Sequence, residues 1–217
     1  MGRLKLFSLL AVFGAATLLV LAAPASAQSC HGSSCTVLGT SGADVIYFSG
    51  SGQVVCSLGG NDFVSGTGNF DTICGGDGND EMHGGDGNDL IDGEGGDDAV
   101  HGQTHQYSLY GGSGADEFWA DIGNDDLHGG SGYDRLYGHP GNDEVNGDDD
   151  GDDVYGHEND DTVNGGSGDD YLEGSSGYDY LNGGLGYDVC VSGESYVSCN
   201  DEPIEEPCRP IRCPEYP

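Results

Sequence analysis

A chain of 217 residues with 39 acidic and 5 basic side chains carries a net charge of −34 and argues against nucleic acid or an anionic membrane surface as a partner. Its 42 glycines and scarcity of large apolar residues leave too little apolar surface for an ordinary globular core, so composition alone reads as an acidic solvated coil. Any folded structure must therefore come from the order of the residues.

The first element is a leader. Arg3 and Lys5 precede an apolar run from Leu6 to Leu21, and Ala25-Ser26-Ala27 forms a small-x-small cleavage site. This pattern predicts a secretory signal peptide over residues 1–27, with the mature chain starting at Gln28, and fits less well to an uncleaved membrane anchor. Cleavage leaves three basic residues against 39 acidic ones, a mature charge of −36 with no membrane span. All eight cysteines (30, 35, 56, 74, 190, 199, 208, 213) lie in the mature chain, and an even number in an exported protein predicts disulfides. They cluster toward the ends and leave Gly75 to Val189 free. Residues 28–38 read as a short cysteine-containing cap.

A nine-residue beat follows over residues 39–191. Counting by nines from residue 44 gives seventeen anchor positions, fifteen of them aspartate: Asp44, Asp62, Asp71, Asp80, Asp89, Asp98, Asp116, Asp125, Asp134, Asp143, Asp152, Asp161, Asp170, Asp179 and Asp188. Gln53 and Tyr107 are the exceptions. Two places after every anchor stands an apolar residue or cysteine, from Ile46 to Cys190, between mostly polar neighbours. That alternation predicts a three-residue strand with its middle side chain inward. The remaining six residues, of the type GGDGND, predict a glycine-dependent turn. An uninterrupted period of this kind is the signature of a solenoid.

The unit is similar to the glycine-rich nonapeptide of the RTX, or haemolysin-type, calcium-binding repeat. The cleanest copies start at Gly75, Gly84, Gly111, Gly129, Gly165 and Gly183. The resemblance implies an all-β fold, a parallel β-roll (a right-handed β-solenoid) with two nonapeptides per 18-residue coil. It also implies Ca2+ between stacked turns, held by carbonyls such as those of these six glycines and by aspartates 18 residues apart. Calcium takes six to eight oxygen ligands, which suits this donor set.

Splitting the anchors by parity separates two ladders. Positions 44, 62, 80, 98, 116, 134, 152, 170 and 188 are all aspartate; the other series contains Gln53 and Tyr107. One ladder is expected to be continuous and the other broken, with up to about 12 calcium sites as an upper bound, counted as neighbouring aspartate pairs. The turns Gly147–Asp152 and Gly156–Asp161 depart from the glycine pattern and are expected to bind weakly. Because only two narrow apolar rows line the inside, folding is expected to be coupled to the metal.

Cys56 and Cys74 are 18 residues apart, at equivalent places in adjacent coils, and are expected to pair. Cys190 and Cys199, nine apart and both at inward positions of the count, are expected to face each other across the last coil. Cys30 with Cys35, and Cys208 with Cys213, are close enough to pair locally. The outward column His83, His101, Trp119, Tyr137, Tyr155 reads either as a stacking ladder or as a sugar-docking strip. The repeat Gly102–Tyr110 reads either as drift or as a transition-metal loop built on His101 and His105. Residues 192–217, rich in cysteine and proline, read as a C-terminal cap and tail.

No HExxH, GxSxG or P-loop pattern is present in the chain. The calcium repeats of the family often follow a protease or lipase domain, and residues 28–38 are too short for one. The sequence thus predicts a secreted calcium-binding β-roll, structural or adhesive and not catalytic. Cell-surface or matrix polysaccharide is the macromolecular partner to consider, and a small solenoid enzyme is the weakest alternative.

Overall fold

In the computed structural model of this chain the described residues are 29–199, leaving aside 69, 193, 194 and 198. The leader, the tail and the pair Cys208/Cys213 lie outside them. The described residues contain strands and turns and no helix. Nine strands form one parallel sheet and ten form another, and each strand is bonded to the one two places along the chain. The chain therefore alternates between sheets, one nonapeptide per sheet, and returns after 18 residues. Val100, for example, pairs with Met82 on one side and Phe118 on the other. This is a β-solenoid, as the period predicts.

The core follows from the alternation. The apolar residue two places after each anchor points between the sheets, and every one from Val55 to Leu181 is fully buried. The two rows form one continuous cluster that runs the length of the rod. The strands are longer than expected. From Thr72–Asp77 onward most span six residues, for example Ser108–Ser113 and Thr162–Ser167. Successive turns adopt the same conformation, so pairing continues into their first half, as at Gly112↔Gly130 and Ser113↔Ser131.

The turn backbone keeps the left-handed conformation at the second and fourth places of most six-residue turns. In the turn starting at Gly111 these are Gly112 (φ 97°) and Gly114 (φ 140°). A side chain on Gly112 would also run into the carbonyl of Glu94 in the preceding coil. The two turns that depart from the glycine pattern keep this backbone: Asp148 and Asp150 have φ of 77° and 74°, and His157 and Asn159 have 85° and 83°. Stacking against regular neighbours imposes the conformation on residues that disfavour it, with asparagine and aspartate tolerating it best.

The disulfides correct two expectations and meet a third. Cys56 and Cys74 do sit in register on adjacent strands, but each bonds elsewhere. The bonds are Cys30–Cys74 and Cys35–Cys56, so Cys30 and Cys35 do not pair locally either. The reason lies in a short antiparallel hairpin, Ser29–Cys30 with Ser33–Ser34, whose cysteines are buried with Cys56 and Cys74 in a second apolar cluster, apart from the main core. Cys190 bonds Cys199 as expected. The last coil is three residues short, however. Leu181 pairs with Tyr196, so Cys199 lies beyond the inward register position that the count assigned it.

Candidate metal centres

Each anchor aspartate follows the turn and precedes the strand, which draws its carboxylate into the stack. From Asp62 to Asp188 these side chains are at most 3% exposed. One oxygen of each is used by the backbone. The N–H of Asp80 donates to Asp98 Oδ1, that of Asp98 to Asp116 Oδ1 and that of Asp116 to Asp134 Oδ1, all at 2.8 Å. On the other ladder Asp71 donates to Asp89 Oδ1 at 2.7 Å and Asp125 to Asp143 Oδ1 at 2.8 Å. Since the donor is backbone, Gln53 and Tyr107 also donate, to Asp71 and Asp125. These hydrogen bonds hold each carboxylate at a fixed height in the stack.

The second oxygen is different. Oδ2 of Asp62, Asp71, Asp80, Asp89, Asp98, Asp116, Asp125, Asp134, Asp143, Asp152, Asp161 and Asp188 is buried and accepts no hydrogen bond from protein. Such an atom is costly to bury unless something compensates it. Asp44 departs from the row: it is half-buried, and its Oδ2 accepts from the Thr40 N–H (2.6 Å) and Oγ1 (2.8 Å).

The surroundings of Oδ2 form a cradle. A Cβ placed on Gly75 would lie 2.5 Å from Asp80 Oδ2 and 2.9 Å from the Gly93 carbonyl oxygen of the next coil. On the other ladder a Cβ on Gly138 would lie 2.6 Å from Asp143 Oδ2 and 2.9 Å from the Gly156 oxygen. Gly93, Gly111, Gly129, Gly147 and Gly165 have the same arrangement, facing the carbonyls of Gly111, Gly129, Gly147, Gly165 and Gly183. Oxygens of two successive coils therefore converge on a space that a glycine keeps open.

Burial pushes these carboxyls up, and a neighbouring anchor of the same ladder adds to the effect at Asp62, Asp89, Asp98, Asp116, Asp125, Asp152 and Asp161. Asp98 and Asp152 rise to about 8, Asp89, Asp116, Asp125 and Asp161 to about 7, and Asp62, Asp134 and Asp143 to about 6. The backbone hydrogen bond to Oδ1 opposes the rise in each case without cancelling it. A cation among these oxygens would reverse the imbalance.

The residues fit calcium. The donors are oxygens only, carboxylate and carbonyl, from two rigid turns, with one carboxylate oxygen per aspartate left over by the backbone. Of the six glycines expected from the sequence, Gly111, Gly129, Gly165 and Gly183 turn a carbonyl toward a cradle, and Gly75 forms the wall of one. The Gly84 carbonyl faces Gly66 and the Phe48 ring. Gly93, Gly138, Gly147 and Gly156 occupy the same repeat position and belong with them; continuing the count by nines from Gly75 finds every one.

His101 and His105 do not form a site together. The His101 ring is stacked between His83 (4.7 Å) and Trp119 (4.5 Å), and His105 Nδ1 contacts the adjacent Thr104 carbonyl oxygen. The stack continues through Tyr137 to Tyr155, with Tyr137–Tyr155 at 5.0 Å. Ligand-type atoms of His31, Cys74 and Asp92 lie within 4.8 Å of one another, but the Cys74 sulfur is bonded to Cys30.

Fold and site together define a parallel β-roll with cation-binding turns. The chain belongs to the RTX calcium-binding nonapeptide repeat family, whose model matches residues 58–91, 75–104, 108–127, 119–154 and 155–190, more than half of the chain. No curated protein matches it.

Proposed function

We propose that this protein is an exported, calcium-hardened rod whose folding is coupled to Ca2+ and whose role is structural or adhesive, not catalytic. The observation that carries the reading is the double row of buried Oδ2 atoms without a hydrogen-bond donor, with a carbonyl of the adjoining coil beside those of Asp80, Asp98, Asp116, Asp134, Asp143 and Asp152. Bound calcium would compensate the buried charge and tie coil to coil, with the anchor aspartates and first-position glycine carbonyls as its ligands. Export is supported by the apolar run Leu6–Leu21 with its cleavage site and by the disulfides. No helix among the described residues is long and apolar enough to cross a membrane.

A sugar-docking role for the aromatic column has less support. The His101 and Trp119 rings are nearly parallel, 4° apart, as are Tyr137 and Tyr155 at 11°. Their faces are spent on one another and not offered to a sugar. The Asn146, Asn164 and Asn182 column forms a comparable ladder of amide hydrogen bonds.

Calorimetric titration with calcium, paired with far-UV circular dichroism in chelator, tests the reading. Strand signal and calcium binding are expected to appear together. A spectrum in chelator identical to that in calcium would sink the coupling.

A further inference from the structure

Two anchors of the broken ladder lack a carboxylate, and at each of them a buried aromatic ring occupies the space between coils. Tyr107 stands at an anchor position and is 2% exposed. Its ring lies between the turns starting at Gly84 and Gly102: a Cβ on Gly84 would be 3.0 Å from Cε1, and one on Gly102 would be 3.1 Å from Cδ2. The hydroxyl donates to the Gly85 carbonyl of the preceding coil. Phe48 reaches the equivalent gap from the opposite end of its turn, the first repeat position, five residues before Gln53. It is 7% exposed, and a Cβ on Gly66 would lie 2.6 Å from its Cζ and 2.5 Å from the Gly84 carbonyl oxygen.

In the carboxylate-bearing turns this same neighbourhood, beside the first glycine, holds Oδ2 and the carbonyl of the next coil. We infer that Phe48 and Tyr107 take the place of calcium ions, filling the Gly66 cradle and the gap 84–89/102–107 by ring packing without metal. Dispersion contact and exclusion of water do there what charge neutralisation does elsewhere. In the second gap the hydroxyl also engages a carbonyl oxygen. The Phe48 ring sits in the Gly66 cradle beside the Gly84 carbonyl, so calcium on the broken ladder is then confined to the run Asp125–Asp179, and the coils around Tyr107 depend least on the ion. The inference rests on the calcium reading of the ladders.

Counting ions tests it. Calcium bound per chain at saturation is measured by equilibrium dialysis for the wild type, Tyr107→Asp and Tyr107→Phe. Tyr107→Asp is expected to bind at least one more ion than the wild type, and Tyr107→Phe the same number. A Tyr107→Asp chain that folds in calcium and binds no more ions overturns the inference. Should that variant not fold, Phe48→Gly/Gln53→Asp is scored by the same count at the first gap. Hydrogen exchange of the wild type gives an independent reading as calcium is withdrawn. Peptides within 84–125 are expected to keep protection to lower free calcium than those within 134–179. Simultaneous or earlier loss at 84–125 overturns the inference whatever the variants do. A wild type that binds no calcium defeats the calcium reading itself, which the same titration reports separately.

Discussion

Each buried anchor aspartate does two jobs, and its two oxygens separate them. Asp116 Oδ1 accepts the Asp98 N–H, while Oδ2 faces the cradle beside Gly111 and the Gly129 carbonyl. Asp116→Asn preserves the first and removes the charge of the second; its amide can donate to the Gly129 oxygen. Opposite signs are therefore expected. Urea unfolding in calcium should lose about 1–3 kcal/mol, whereas the chelated protein should become more stable than the wild type. The glycine of the cradle is equally specific. Ala120 occupies that repeat position and is fully buried. Ala120→Gly should tighten calcium binding at the Asp125 turn, and Gly129→Ala should weaken it at the Asp134 turn, both read by calcium titration. These contrasts were legible in the sequence only as a departure from GGxGxD; the bond from backbone to Oδ1 was not, because it depends on how far the carboxylate reaches into the neighbouring coil.

At the scale of the element, burial shifts the carboxyls of both ladders in one direction. The folded, ion-free carboxyls of Asp62, Asp98 and Asp152 sit at about 6 to 8, above the unfolded value of about 3.9. The ion-free rod thus binds protons more tightly than the unfolded chain. The stability from this difference is fully present below the unfolded value and is lost as pH rises through about 6 to 8. In chelator, circular dichroism is expected to show more strand at pH 4 than at pH 8. In calcium the dependence reverses, because protons compete for the same oxygens: affinity should fall between pH 8 and pH 6. The N-terminal hairpin is a second kind of element. It lies on the ten-stranded sheet, bonded to Cys74 and Cys56, and its His31 reaches Asp92 at 2.8 Å in the next coil. Peptide mapping should recover Cys30–Cys74 and Cys35–Cys56, and reduction should speed hydrogen exchange in the coils of residues 37–77 before the rest. The spacing of 18 made Cys56 and Cys74 neighbours, which they are. It carried no information about a hairpin outside the repeat that reaches both of them.

Across the whole molecule, charge and glycine set the problem that the proposed calcium ions would solve. A chain of net charge −34 with 42 glycines gains little from its two apolar rows, and each coil contacts mainly the coils next to it. Such a rod is expected to unfold on chelation with a calcium-dependent midpoint, shifting upward with the logarithm of free calcium. The aromatic and amide columns, the disulfides at both ends and the two ring-filled gaps are the parts that do not require the ion. They should set the residual structure seen in chelator at neutral pH.

The sequence by itself determined the period, the inward row from Ile46 to Cys190, the identity of the anchors and the division into an unbroken and a broken ladder. All of these are functions of position modulo 9 or 18, which a linear count preserves. Tertiary structure alone decided that Oδ1 is used by the backbone and Oδ2 is not, that Phe48 and Tyr107 fill gaps between coils, and that the cysteines pair through a hairpin. Those outcomes depend on which side chain reaches which neighbouring coil. Reach across a 4.8 Å spacing is a matter of geometry that residue order leaves open.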